Sequence, residues 1–215
     1  KQVFPWCARW GEELTSLFRS YVERKQANGV LDYDDLLLWW HAAVSDPTLA
    51  EEIGARFDHV LVDEYQDTNA LQAEILLALK PQGEGLTVVG DDAQSIYAFR
   101  AADIGNILGF PERFSPHARR ITLELNYRSV QPILDAANAL LAGAPRQYPK
   151  TLRAVRGTGA IPRLVTVIDE RAQAEHVAVE VLRLRETGVA LRRQAVLFRS
   201  SHHSDLLELE LTRRN

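Results

Sequence analysis

Three short apolar runs, each passing straight into a polar cluster, constrain this chain more than any other feature. His59-Val60-Leu61-Val62 leads into Asp63-Glu64, and Leu86-Thr87-Val88-Val89 leads into Gly90-Asp91-Asp92-Ala93-Gln94. Ile121-Thr122-Leu123-Glu124-Leu125 leads into Asn126-Tyr127-Arg128-Ser129. Short runs rich in β-branched residues predict buried strands. Segments with apolar residues at helical spacing separate them, so strands alternate with helices. That order predicts an α/β fold with parallel sheets flanked by helices. In such sheets ligands bind beyond the carboxyl ends of the strands, where all three clusters fall.

The helical segments carry their own punctuation. Leu14, Leu17, Phe18, Tyr21 and Val22 predict a helix over 10–28, ended by Asn28-Gly29. Asp32 is placed to cap a second helix, and a short third is expected over 48–56. Asp67, Thr68 or Asn69 caps the next, whose apolar face is Leu71, Ile75, Leu76 and Leu79. A helical turn is expected near 104–109, then a helix from Val130 to Leu141. Residues 142–160, rich in Gly, Pro and Arg, read as a linker or long loop. Strand, helix, strand and helix then follow as 164–168, 170–187, 195–198 and 204 onward.

Composition excludes several classes. A hydrophobic share of 46% and a charged share of 25% are ordinary globular values. No apolar run approaches the roughly 20 residues of a membrane span, and no signal peptide is legible, so a cytoplasmic location is expected. Cys7, the single cysteine, makes no internal disulfide and no zinc site alone. The net charge of −4 argues against a generic DNA-coating protein. It hides an acidic block over 51–74 and a basic block over 142–163, Arg146, Lys150, Arg153, Arg156 and Arg163. Such a division fits a site with divided electrostatic duties and equally fits two solvated faces. Adjacent residues on a helix are expected to face apart, so His202-His203 suggest no metal site; Trp6, Trp10, Trp39 and Trp40 are expected in the core.

Each polar cluster has a plain reading and a chemical one. Asp63-Glu64 is an acidic turn before a helix, or a carboxylate for magnesium beside one for an attacking water. Gln94 is a surface amide, or a ligand of a terminal phosphate. Arg128 is a structural ion-pair partner, or an arginine finger. Tyr97 and Phe99 are core aromatics, or, with Arg100, a stacking surface for single-stranded nucleic acid.

In combination the clusters say more. Val60-Leu61-Val62-Asp63-Glu64-Tyr65-Gln66-Asp67-Thr68-Asn69 resembles the Walker B segment, motif II, of the UvrD/Rep/PcrA helicases of superfamily 1. Val88 to Arg100 resembles their motif III, and Leu123 to Ser129 their motif IV. Asp32-Tyr33-Asp34-Asp35-Leu36-Leu37 is similar to the acidic motif that precedes motif II, and Ala195 to Ser200 to an early strand of the second motor domain. The order and spacing are far more specific than a lone glycine-rich match.

The resemblance implies a RecA-like P-loop NTPase motor, incomplete at both ends. It implies that residues 1–28 are the tail of an inserted helical subdomain, 29–126 the distal half of the first RecA-like domain, and 127–215 the start of the second. It implies ATP and Mg²⁺ as cofactors. Asp63 would coordinate Mg²⁺ through water and Glu64 would be the general base. Gln94 would sense the γ-phosphate, Tyr127 would stack on adenine, and Arg128 would be a finger. Tyr97, Phe99 and Arg100 would contact single-stranded DNA. Phe99 departs from the family's frequent tryptophan, and Ala98 and Ala101-Ala102 from its basic or glycine choices. The implied function is ATP-dependent 3′-to-5′ translocation or unwinding on single-stranded DNA and ss/ds junctions, in repair or replication. The alternatives are the motor of a RecB/AddA-type helicase–nuclease and a non-catalytic DNA-binding module on the same fold.

One motif is absent from these 215 residues. None of Lys1, Lys25, Lys80 and Lys150 follows a glycine, so G-x-x-x-x-G-K-[ST] is not present. With no methionine, a start at Lys1 and a stop at Asn215 inside a predicted helix, a piece of a longer chain is expected. Its partners would include the missing parts of its own motor, and the piece alone is expected not to hydrolyse ATP.

Overall fold

A computed structural model describes residues 5–214. Residues 1–4 and 215, the outer ends of the two expected terminal segments, lie outside the described residues. The chain forms two compact units, divided between Gly159 and Ala160.

The first unit opens with α1 (Gly11–Asn28) and α2 (Tyr33–Val44). Gly29, at φ 61°, takes the left-handed conformation that ends α1, and its N–H donates to the Gln26 carbonyl. Asp32 caps α2 in a reciprocal capping box with Asp35. Lys25 donates to both of these carboxylates, at 2.7 and 2.6 Å, and joins the end of α1 to the start of α2. The short α3 (Pro47–Gly54) starts from Asp46 with Pro47 in its first turn.

Then come β1 (Val60–Val62), α4 (Ala70–Leu79) and β2 (Leu86–Val88). Of the three candidate caps for α4 the chain uses Asn69, which shares a capping box with Gln72. β1 and β2 pair in parallel, Val60 opposite Leu86 and Val62 opposite Val88. The helical turn expected near 104–109 is α5 (Gly105–Leu108). Under the β1–β2 pair lies a core of Tyr65, Leu76, Ile107, Phe110 and Phe114. Its rings meet edge-on: Tyr65 to Phe110 and Phe110 to Phe114 both have centroids 5.2 Å apart. A second cluster, Val44, Ala50 and Ile75, packs α2 and α3 on α4.

The unit closes with β3 (Leu125–Asn126), α6 (Gln131–Leu141) and β4 (Arg153–Ala154). Here the structure corrects the sequence reading. The third strand is only two residues long, and its parallel partner lies inside the stretch expected to be a linker. That stretch is anchored: Asn138 of α6 exchanges two hydrogen bonds with the Leu152 backbone, and Gln131 Oε1 accepts from the Ala154 N–H. A strand exists by its ladder, so an apolar β-branched run without a neighbour to pair with is not one.

The second unit, described by itself, holds α7 (Glu170–Glu186) and α8 (Asp205–Arg214) around Ala174, Ala178 and Leu207. The runs 164–168 and 195–198, expected as strands, have no ladder partner among the described residues, and Leu164 and Leu197 are almost fully exposed. The tryptophans are a further correction: Trp6, Trp10, Trp39 and Trp40 all lie at the surface. So do Leu17, Phe18 and Tyr21 of the α1 stripe, and α1 has no buried residue. Among the described residues no helix is long and apolar enough to cross a membrane.

Candidate functional site

The parallel pairing of β1 and β2 brings their carboxyl ends side by side. Val62 leads to Asp63-Glu64 and Val88 to Val89-Gly90-Asp91. Two further backbone bonds extend the ladder past the strands: Val89 N–H donates to the Val62 carbonyl at 2.7 Å, and Tyr65 N–H to the Val89 carbonyl at 2.9 Å. Glu64, between them, is forced to φ 50°, ψ 41°. A non-glycine residue in the left-handed region is strained, and such strain concentrates at functional sites. Both carboxylates are exposed. Asp63 Oδ1 accepts from the Glu64 N–H at 2.9 Å.

Gln66 joins the two strand exits. Its side chain is buried, with 1% of the residue exposed. Its Nε2 donates to Glu64 Oε2 at 2.8 Å, and its Oε1 accepts from the Asp91 N–H at 3.0 Å. Asp91 continues the connection, since its Oδ2 accepts from Gln94 Nε2 at 2.8 Å. Glu64, Gln66, Asp91 and Gln94 thus form one hydrogen-bonded series. Burial works against charge on the Asp91 carboxyl, but hydrogen bonds from Lys150 and Gln94 outweigh it and hold the group below its ordinary value.

Lys150, from the expected linker, donates to both Asp91 and Asp92. Asp92, 7% exposed, also accepts the Tyr148 N–H at 2.8 Å. Tyr148 in turn donates its hydroxyl to the Ile107 and Leu108 carbonyls. Burial pulls the Lys150 ammonium down, while its bonds to the two carboxylates prevail and raise it.

The third cluster is shaped by Asn126. Its Oδ1 accepts the N–H groups of Arg128 and Ser129, at 2.9 and 2.7 Å, closing a turn just past β3. Tyr127 is 69% exposed, and the Arg128 guanidinium has no protein partner among the described residues. An open cleft of about 500 Å³ is lined by Gln94, Leu125, Asn126, Tyr127 and Arg128. The structure therefore brings three predicted residues, Gln94, Tyr127 and Arg128, to one cleft. It connects Glu64 to that cleft through Gln66 and Asp91.

Tyr97, Phe99 and Arg100 form a separate cluster. The two rings lie 5.9 Å apart, and the guanidinium sits 5.2 Å from one centroid and 5.5 Å from the other. Tyr97 is half-buried, whereas Phe99 is 78% exposed, which leaves a ring face and a cation at the surface. This is not core packing.

Sequence reasoning missed Gln66, Asn126, Tyr148 and Lys150. For Lys150 a signal existed: it is the one lysine in a stretch otherwise served by arginine. For Gln66 the signal was Gly90, whose absent Cβ would lie 2.5 Å from Gln66 Oε1, but that pairing is visible only in three dimensions. Among the described residues no group of three His, Cys, Asp or Glu could hold a metal ion. A divalent cation here would draw on one or two carboxylates with phosphate and water, as Mg²⁺ does beside nucleotides, and the exposed Asp63 carboxylate fits that set.

Comparison with known proteins gives the family. The family model of the UvrD/REP helicase N-terminal domain matches residues 9–115, and that of the UvrD-like helicase C-terminal domain matches residues 121–215. The ATP-dependent DNA helicase PcrA of Staphylococcus epidermidis is 35% identical over 196 residues, 91% of this chain and 27% of the relative. PcrA of Staphylococcus aureus matches with the same identity and coverage. The chain spans about a quarter of the length of the curated relatives it matches. Its parallel strand pairs with flanking helices are parts of the RecA-like α/β fold of these helicase domains. The chain belongs to the UvrD-like helicase family.

Proposed function

We propose that this chain is the part of an ATP-dependent 3′-to-5′ DNA helicase or translocase that holds the γ-phosphate side of the nucleotide site and one contact surface for single-stranded DNA. The observation that carries the reading is the convergence of Gln94, Tyr127 and Arg128 on one cleft, joined through Asp91 and Gln66 to Glu64. Phosphoryl transfer is catalysed by positioning and by charge stabilisation, and these residues supply both. Glu64 takes the proton of the attacking water as the β–γ phosphate bond breaks. Gln94 hydrogen-bonds the γ-phosphate, and Arg128 stabilises the charge that develops on it. Tyr127 stacks on the adenine. Asp63 would hold Mg²⁺ through water, and the ion would neutralise phosphate charge.

Tyr97, Phe99 and Arg100 contact single-stranded DNA beside an ss/ds junction, and the protein works in the cytoplasm. Residues 1–28 belong to an inserted helical subdomain, 29–126 to the first RecA-like domain and 127–215 to the second. The two family matches change over between residues 115 and 121, a few residues before that boundary, whereas the compact units divide later, at 159/160.

The test is Mg²⁺-dependent ATP hydrolysis by the full-length gene product, with and without single-stranded DNA. Glu64→Gln and Arg128→Ala should each lower kcat by roughly a thousandfold while nucleotide binding persists. Wild-type turnover in either variant would refute the assignment. The 215 residues alone, which contain no P-loop, should show no turnover above background.

A further inference from the structure

We propose that Gln66 is a positioning residue for ATP hydrolysis, setting the Glu64 carboxylate and locking it to the Gly90-Asp91 turn that carries Gln94. The proposal rests on the reading of Glu64 as general base.

The physical case begins with burial. A fully buried amide is costly unless its donors and acceptors are used. Gln66 is 1% exposed, and both ends of its side chain are occupied. The donor end holds Glu64 Oε2 at 2.8 Å, a bond strengthened by the carboxylate charge. The acceptor end holds the Asp91 N–H at 3.0 Å. An exposed glutamate otherwise samples several rotamers. Here one donor, fixed in the core, selects a single orientation before any nucleotide arrives. The site for that donor exists because Gly90 has no side chain: a Cβ there would lie 2.5 Å from Gln66 Oε1 and 2.8 Å from Ile107 Cδ1.

The same amide couples two strand exits. Glu64 leaves β1, while Gln94 follows β2 and is held by Asp91 Oδ2 at 2.8 Å. The group that receives the proton of water and the group that reads the γ-phosphate are thus joined through one side chain. A movement of the Gly90-Asp91 turn shifts the Gln66 amide and, with it, the Glu64 carboxylate.

The test uses the full-length gene product. Gln66→Met keeps length and apolar volume and removes both hydrogen bonds. Its kcat with saturating single-stranded DNA should fall roughly tenfold to a hundredfold, the scale of a small misplacement of a reacting group. KM for ATP should stay near wild type, even if the thermal midpoint falls because the Asp91 N–H has lost its acceptor. The decisive reading is the double variant: Glu64→Gln with Gln66→Met should have the kcat of Glu64→Gln alone, because a residue acting through Glu64 has nothing left to position. Should Gln66→Met not fold, Gln66→Asn carries the same test, since it stays neutral and polar but is one methylene too short to hold Glu64 and the Asp91 N–H together. Multiplying losses in the double variant, or wild-type kcat in the single one, would overturn the proposal. A Glu64→Gln protein with full turnover would instead sink the general-base reading itself.

Discussion

Tyr148 donates its backbone N–H to Asp92 Oδ2 at 2.8 Å, across 56 positions of the chain. With Lys150 on Asp91 and Asp92, this clasp holds the stretch after α6 against the turn that carries Gln94. The basic block therefore does not answer the acidic block of 51–74. Its lysine serves two other carboxylates.

Lys150→Met should destabilise the fold. Truncating one partner of a buried pair leaves the other charge uncompensated, at a cost of about 3 kcal/mol. Most of that belongs to Asp92, whose side chain is 4% exposed; Asp91 is 34% exposed and solvent screens its share. Urea denaturation of the chain measures it, and a midpoint equal to wild type would show that the clasp adds nothing.

The clasp also has a pH signature. The Asp91 carboxyl is held below its ordinary 3.8, so its contribution is present above that pH and is lost as pH falls through the lowered value. Lys150 is raised above its ordinary 10.5, so its contribution is present below that pH and is lost as pH rises through the raised value. The stability difference between wild type and Lys150→Met should be flat between these limits and shrink outside them. A difference that peaked sharply near neutrality would point to another titrating group.

Ala101→Gly should stabilise the protein. Ala101 sits at φ 64°, in the left-handed region. That conformation costs a non-glycine residue roughly 1–2 kcal/mol, and the greater freedom of glycine in the unfolded chain returns roughly 0.4–1 kcal/mol of the gain. A net increase of about 0.5 kcal/mol should appear as a small rise in thermal midpoint. A fall would mean that the Ala101 methyl makes a compensating contact.

Phe99→Ala and Arg100→Ala should separate stacking from charge. In the full-length gene product, Phe99→Ala should weaken single-stranded DNA binding by roughly 1–3 kcal/mol at every salt concentration. Arg100→Ala should lower the salt slope by about 0.7, the value for one phosphate contact on a single strand. Binding unchanged in both would remove this surface from the DNA path.

Much of this protein was determined locally, by the sequence itself. Asp32, Asn69 and Gly29 set helix ends, because a cap needs only a side chain and the backbone of its own first or last turn. Apolar runs ending in Asp63-Glu64 and Gly90-Asp91 marked the paired strands β1 and β2, because buried parallel strands read as short continuous apolar runs. The motif residues Gln94, Tyr127 and Arg128 were legible by type and order. Tertiary structure alone decided what required two distant segments. It determined that 125–126 pairs with 153–154 while 164–168 and 195–198 pair with nothing described, because a ladder needs a neighbour that local sequence does not specify. It placed Trp39 and Trp40 outside the core, because apolarity does not name the surface that will cover it. It also seated Gln66 between Glu64 and Asp91 and Lys150 on two carboxylates, because a buried polar group is defined by the partners that folding brings to it.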